Sequence, residues 1–66
     1  MTVVMNGEPR ALPDGATLAD AVTQLTATTQ GVAVAVNGAV VPRGQWPATL
    51  LAEADHVEVL TAVQGG

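Results

Sequence analysis

The sequence predicts an α+β roll, in which one amphipathic helix covers one face of a mixed five-stranded β-sheet. Apolar residues recur at every second position in several short runs, as in half-buried strands, and at helical spacing in one segment. The order of these segments is β-β-α-β-β-β, and a single helix can cover only one face of one sheet. We therefore expect the last strand to lie beside the first and the second face of the sheet to stay uncovered.

Two strands and a tight turn are predicted at the start of the chain. Residues 2–6 alternate between an apolar face and an opposite face, which carries Val4. Asn6-Gly7 follows, a dipeptide typical of two-residue hairpin turns. A second short strand around residues 10–12 should return beside the first.

One helix is predicted after Pro13-Asp14-Gly15, a segment that ends the second strand. Thr17 stands three residues before Asp20, the spacing of a capping box in which each side chain bonds the backbone of the other residue. The residues that should face the sheet recur at helical spacing: Leu18, Val22 and Leu25. The pattern predicts a helix of two to three turns that ends before Gly31.

Three further strands are predicted in the second half of the chain. Residues 32–37 alternate Val with Ala, and a second Asn-Gly turn leads to a short strand at residues 39–41. Residues 43–46 are too few for more than one helical turn. Residues 56–62 alternate again and should form the last strand.

Length and composition limit the classes of function. The chain has 66 residues, enough for one domain, which we assign to residues 1–63, with residues 64–66 as a flexible tail. Six acidic and two basic residues give a net charge of −4, which opposes binding to nucleic acid. Neither a signal peptide nor an apolar segment that could span a bilayer is visible, so we expect a soluble cytoplasmic protein without membrane association.

The chain holds few groups that could catalyse a reaction. It has no Cys and no Ser, and its one His is His56. Nucleophilic catalysis needs a Ser, Thr or Cys beside a base, and we expect His56 to be a surface histidine that no nucleophile accompanies. Asp55, His56 and Glu58 should alternate between the faces of a strand, whereas metal ligands must converge. We predict no catalytic residue, no metal site, no bound cofactor and no enzymatic activity.

Trp46 and Arg43 each have two interpretations. Trp46 is the one large aromatic residue of the chain, and we expect it to pack at one end of the sheet rather than to bind a partner. Arg43 is one of two basic residues, and a surface ion pair and a contact with an acidic group of a partner are equally compatible with it.

Alternation sorts the apolar side chains of the sheet into two groups. Those that should pack under the helix are Met1, Val3, Met5, Val34, Val36, Val57 and Val59. Those that should fall on the open face are Val4, Ala33, Ala35, Leu60 and Ala62. Val4 and Leu60 lie on strands that we expect to be neighbours, and a contiguous apolar patch would mark a docking surface. We assign to the partner-binding surface Val4, Leu60, Ala62 and Val63.

The sequence ends in Gln64-Gly65-Gly66, directly after the last predicted strand. Two glycines in succession make a thin, flexible segment that can enter a narrow cleft, which suggests that the carboxylate of Gly66 is presented as a reactant. The alternative is a frayed end without function, since terminal residues are often poorly ordered.

A family resemblance rests on five segments spread over the whole chain: Val4-Met5-Asn6-Gly7, Leu12-Pro13-Asp14-Gly15-Ala16-Thr17-Leu18, Gly31-Val32-Ala33-Val34-Ala35-Val36-Asn37-Gly38, Val41-Pro42-Arg43 with Trp46, and Ala62-Val63-Gln64-Gly65-Gly66. In this order and length they resemble the ThiS family, the sulfur carriers of thiamine biosynthesis. The resemblance implies the ubiquitin-like β-grasp fold, which agrees with the topology expected from periodicity. The chain departs from the family pattern at Ala54, where Gly is usual before Asp, and at Gly44, where Ser or Glu is common.

The resemblance also implies a mechanism for the tail. A carboxylate is a poor electrophile, so a ThiF-like adenylyltransferase would first activate the Gly66 carboxylate with ATP and magnesium. Sulfur from a persulfide donor would then displace the adenylate and leave a Gly66 thiocarboxylate, which a thiazole synthase would use as its sulfur source. Gly65 and Gln64 would form the segment of the tail that precedes this group.

Two other functions remain open at this point. The small subunit of molybdopterin synthase shares the fold and the Gly-Gly thiocarboxylate, although Val41-Pro42-Arg43, Trp46 and Ala62-Val63-Gln64 favour the thiamine carrier. A different class is a ubiquitin-like modifier or an interaction domain with an inert tail. A stable isopeptide adduct would indicate the modifier, and an unmodified terminus in cells would indicate the inert domain.

Overall fold

A mixed five-stranded sheet with a helix on one face is the frame of the molecule in the computed structural model, which describes residues 1–26 and 31–61. The elements are β1 Thr2–Met5, β2 Glu8–Ala11, α1 Leu18–Leu25, β3 Val32–Val36, β4 Ala39–Val40, a 3₁₀ helix Arg43–Ala48, and β5 His56–Thr61. The strand order is β2-β1-β5-β3-β4. β1 and β5 are parallel, and the other neighbours are antiparallel. The predicted topology is confirmed, with the last strand beside the first.

Two Asn-Gly turns join the hairpins. Asn6-Gly7 has φ angles of 51° and 81°, and Asn37-Gly38 has 50° and 86°. Positive φ at both central residues gives a turn whose twist matches that of the strands it connects, and Asn and Gly adopt this conformation most readily. Each turn therefore fixes the pairing of its hairpin without a longer loop.

β2 begins two residues earlier than the sequence analysis predicts. It spans Glu8–Ala11 instead of residues 10–12, because a two-residue turn brings Glu8 directly opposite Met5. Pro9 lacks an N–H group, which is tolerated because β2 is an edge strand. β1, β3 and β4 each end one residue before their predicted limit; for β1 and β3 the reason is the left-handed φ of the turn Asn.

α1 begins at the predicted capping box. The Asp20 N–H donates to the Thr17 hydroxyl at 3.2 Å, and the Thr17 N–H donates to the Asp20 carboxylate at 2.9 Å. These two bonds satisfy backbone donors that the first turn of a helix leaves without an intrahelical partner. α1 has eight residues, and in the described part of the chain there is no helix long and apolar enough to cross a bilayer.

The 3₁₀ helix Arg43–Ala48 is longer than the single turn predicted over residues 43–46. Pro47 does not end it, because the fixed φ of Pro lies within the 3₁₀ range. The helix carries Trp46 into the core, where the ring is 3% exposed and its Nε1 donates to the Val41 carbonyl at 2.9 Å. Trp46 is therefore a core residue, and its predicted place at one end of the sheet stays a prediction.

The core lies between α1 and one face of the sheet. Among the described residues it consists of twelve buried side chains, which are Val3, Met5, Leu12, Ala16, Leu18, Ala21, Val22, Val34, Trp46, Leu51, Val57 and Val59. Most are small or β-branched, so the core volume is small, as expected for a domain of this size. The predicted core positions on β1 and β5 are confirmed.

Ala54 adopts a backbone conformation that is unfavourable for Ala. Its φ is +70°, in the left-handed region, while its N–H donates to the Thr2 carbonyl at 2.8 Å. A left-handed conformation costs an L-residue roughly 1–2 kcal/mol relative to Gly. The departure from the family pattern at this position therefore stores strain in the turn before β5.

We expect Ala54→Gly to stabilise the domain. Relief of roughly 1–2 kcal/mol of strain exceeds the entropy that Gly adds to the unfolded chain, about 0.4–1 kcal/mol, so the free energy of unfolding should rise by about 0.5–1 kcal/mol. Chemical denaturation measures this change. Ala52→Gly is the matched control, because Ala52 is exposed and has no positive φ. Ala52→Gly should lower the stability, and an equal loss in Ala54→Gly would contradict the strain assignment.

Candidate functional site

β5 separates the core from the open face of the sheet residue by residue. Val57 is 1% exposed and Val59 5%, whereas Leu60 is 66% exposed. His56 and Glu58 are also exposed. The predicted register of β5 is therefore confirmed, and Leu60 projects from the face opposite α1.

Leu60 belongs to an apolar patch on this face. It lies opposite Ala33 on β3, and Ala35 lies opposite Val40 on β4, so these four residues occupy three adjacent strands. Val40 is 77% exposed. We call Ala33, Ala35, Val40 and Leu60 the open-face patch; with Val34 and Glu58 they line a shallow hollow. An exposed apolar surface that spans several strands is suited to docking a partner.

The sequence analysis did not include Val40 in this surface, although a signal for it was present. The two-residue turn Asn37-Gly38 pairs Val36 with Ala39 and hence Ala35 with Val40. Since paired residues point to the same side of a sheet, Val40 must share the face of Ala35. Its exposure follows from the turn length.

Val4 lies apart from the open-face patch. It is half-buried, and its partner on β5 is His56. Leu60 is four residues further along β5, a separation of about 13 Å at the usual rise of a strand. On the open face of β5, the polar residues His56 and Glu58 come before Leu60. The structure therefore does not bring Val4 and Leu60 into one apolar surface.

The acidic segment before β5 has a structural role. The Asp55 carboxylate accepts hydrogen bonds from the Ala52 N–H at 2.8 Å and from Asn37 Nδ2 at 3.0 Å. The His56 N–H donates to Asn37 Oδ1 at 2.9 Å. Asp55 thus fixes the turn that leads into β5. Within residues 1–26 and 31–61, no three His, Asp or Glu side chains come together as a metal-binding group.

The end of the chain lies outside the described residues. Thr61 is the last residue of β5, and the predictions for Ala62, Val63, Gln64, Gly65 and Gly66 concern residues beyond it. Arg43 stands at the start of the 3₁₀ helix and is exposed. The described site therefore consists of the open-face patch and of the strand that leads toward the tail.

Solved structures of thiamine biosynthesis proteins share this fold. A crystal structure of the thiamine biosynthesis protein ThiS from Geobacter metallireducens superposes with a TM-score of 0.82 at 29% identity, and the match covers all of both chains. A solution structure of a thiamine biosynthesis protein from the same organism gives a TM-score of 0.81 at 28% identity and covers all of this chain and 88% of that one. The β-grasp fold that the resemblance implied is therefore confirmed.

A curated relative and a family model match the sequence itself. A thiazole synthase of Magnetococcus marinus is 39% identical over 66 residues, and the chain spans 20% of the length of that protein. The model of the ThiS family matches residues 3–66, which include every strand residue except Thr2, the open-face patch and the terminal glycines. The chain therefore belongs to the ThiS family, the small sulfur carrier proteins of thiamine biosynthesis.

Proposed function

We propose that this protein carries sulfur as a thiocarboxylate on Gly66 and delivers it for synthesis of the thiazole moiety of thiamine. The observation that carries the proposal is the family match, which extends through Gly65-Gly66. The chemistry of the chain agrees with it, because a protein without Cys has no thiol on which to form a side-chain persulfide. The protein would act as a co-substrate of its partners rather than as an enzyme.

The proposed reaction has three steps at the Gly66 carboxyl group: adenylation, sulfur transfer and reduction. In the first, a Gly66 carboxylate oxygen attacks the α-phosphate of ATP in a ThiF-like adenylyltransferase, with magnesium, and pyrophosphate leaves. In the second, a persulfide sulfur attacks the Gly66 carbonyl carbon and AMP leaves; a thiol then reduces the resulting S–S bond and frees the thiocarboxylate. Adenylation is needed because a carboxylate resists nucleophiles, whereas AMP is a good leaving group. The use of ATP is consistent with a reaction in the cytoplasm.

The open-face patch would dock the partners. Leu60 exposes apolar area on the strand that leads to the tail, and Val40 exposes more of it two strands away, so a partner bound there would have the terminal glycines within its reach. Removal of such side chains from water contributes about 25 cal/mol per Å² of apolar surface, against which the entropic cost of association must be set. We include Ala62 and Val63 in the same surface, and leave Val4 out of it because its neighbour on β5 is His56.

A thiazole synthase is the proposed acceptor of the sulfur. The thiazole synthase of Magnetococcus marinus contains, within one polypeptide, a segment similar to the whole of this chain. Joining a carrier to the enzyme that consumes its sulfur would raise their effective concentration. The ThiS matches favour this acceptor over molybdopterin synthase, and favour a carrier over a modifier or an inert domain.

An ATP–pyrophosphate exchange assay tests the first step. The protein is incubated with a ThiF-like adenylyltransferase, ATP, magnesium and labelled pyrophosphate, and exchange should require the protein. A variant that lacks Gly65 and Gly66 is the control, and it should give no exchange. Exchange that is equal with and without the two glycines would contradict the proposal and favour the inert tail.

A further inference from the structure

The side chain of Asn6 continues β1 at the point where that strand ends. The parallel pairing of β1 with β5 reaches Met5 and Val57, and the Asn6 N–H donates to the Val57 carbonyl at 2.9 Å. The side chain of Asn6 then bonds the backbone of Val59 twice. Its Oδ1 accepts from the Val59 N–H at 2.8 Å, and its Nδ2 donates to the Val59 carbonyl at 3.1 Å. A side-chain amide thus takes the place of one more strand residue.

This amide is the last group that bonds β5 from the side of β1 in the described part of the chain. The Asn37 N–H donates to the His56 carbonyl, which shows that the N–H and C=O groups of His56 face β3. Because these groups alternate in direction along a strand, those of Glu58 and Leu60 also face β3. The N–H and C=O groups of Val59 and Thr61 face the side of β1. β1 has turned away before Thr61, and beyond Val59 β5 is paired with β3 alone.

Asn37 provides an internal comparison. It occupies the same position in the second Asn-Gly turn, with φ of 50° against 51° for Asn6. Its side chain also makes two hydrogen bonds, from the His56 N–H to Oδ1 at 2.9 Å and from Nδ2 to Asp55 at 3.0 Å. These bonds hold the beginning of β5, at the end remote from the tail. The two Asn residues therefore fix opposite ends of the same strand.

We propose that Asn6 is a positioning residue for sulfur transfer, because its bonds to Val59 fix the end of β5 from which the tail extends. The inference rests on the proposed function. β5 is thereby held on both sides as far as Val59, two residues before it ends at Thr61, which limits the directions in which the following residues can leave the sheet. Without the Asn6 amide, the adenylyltransferase would have to order this segment itself, at the expense of binding free energy.

The test compares Asn6→Gly with Asn37→Gly. Gly adopts a φ of about +50° without strain, so each variant loses two side-chain hydrogen bonds and keeps its turn. Both are compared below their melting transitions, where both are folded. The first measurement is the backbone order parameter of the Leu60 and Thr61 amides by NMR relaxation. It should fall in Asn6→Gly and keep the wild-type value in Asn37→Gly.

The second measurement is the kinetics of adenylation with the carrier as the varied substrate. In Asn6→Gly the KM for the carrier should rise about tenfold, the factor expected when binding has to order the backbone of about one more residue, with kcat unchanged. Asn37→Gly should keep the wild-type KM. Asn6→Asp retains the acceptor for the Val59 N–H but sets a carboxylate oxygen against the Val59 carbonyl, so its KM should lie between those of wild type and Asn6→Gly.

Three outcomes have different meanings. A wild-type KM in Asn6→Gly, despite lower order parameters, would overturn the positioning role. An equal rise of KM in Asn6→Gly and Asn37→Gly would overturn it as well, because general loss of stability would then explain the effect. Failure of the wild-type protein to be adenylated would contradict the proposed function instead, and the order parameters would still report whether Asn6 anchors β5.

Discussion

One Ala added after Gly66 is expected to abolish adenylation. The extra residue moves the reactive carboxylate by up to about 3.5 Å along the chain. It also makes the terminal residue an Ala, whose Cβ is absent from the terminal Gly66. A shift of this size removes the carboxylate oxygen from attack distance of the α-phosphate, since reacting atoms must lie roughly 3–3.5 Å apart. ATP–pyrophosphate exchange measures the loss.

The control for this variant is its folding. The added Ala lies beyond the described core, so the thermal melt should match that of the unextended protein. A normal melt with no exchange would place the effect at the terminal carboxylate. Exchange at the wild-type rate would contradict the requirement for Gly66 as the terminal residue.

Val59→Asp is expected to unfold the domain, whereas Leu60→Asp should leave it folded. Val59 is 5% exposed within the core, and an Asp there would bury a charge without a partner, at a cost of several kcal/mol. A chain of 66 residues has a total stability of only about 3–10 kcal/mol. Leu60 is 66% exposed on the opposite face, so the same substitution there meets water.

The pair also tests the open-face patch. Thermal melts give the stability of each variant, and titration with the adenylyltransferase gives the affinity of Leu60→Asp. We expect Leu60→Asp to melt near wild type and to bind the partner at least tenfold more weakly, the factor for about 1.4 kcal/mol of lost apolar burial. A melt as low as that of Val59→Asp would contradict the assigned faces, and unchanged affinity would remove Leu60 from the docking surface.

Local patterns predicted the elements and their faces. The alternation along β5 separates Val59 from Leu60 because side chains of a strand point alternately to opposite faces. The capping box of α1 was also predictable, since Thr17 and Asp20 bond each other within one turn of helix. These features depend on residues that are close in the sequence. They can therefore be predicted from one sequence alone.

Features that depend on the offset between distant strands were not predictable. Alternation tells which face Val4 occupies, but the parallel pairing with β5 decides that His56 rather than Leu60 is its neighbour. The same offset decides that Asn6 bonds Val59, because the pairing of β1 with β5 ends at Val57, two residues before Val59. The left-handed φ of Ala54 likewise follows from the closure of the turn into β5, which no local preference of Ala would predict.

The most direct test of the central proposal locates the sulfur by mass spectrometry. The protein is incubated with a ThiF-like adenylyltransferase, ATP, magnesium and a labelled persulfide source. It is then fragmented in the mass spectrometer without prior digestion. We expect one oxygen to be replaced by one sulfur, and the label to occur only in fragments that contain Gly66. Label in fragments that end before Gly65, or in a protein that lacks Gly65 and Gly66, would contradict transport of sulfur on the terminal carboxyl group.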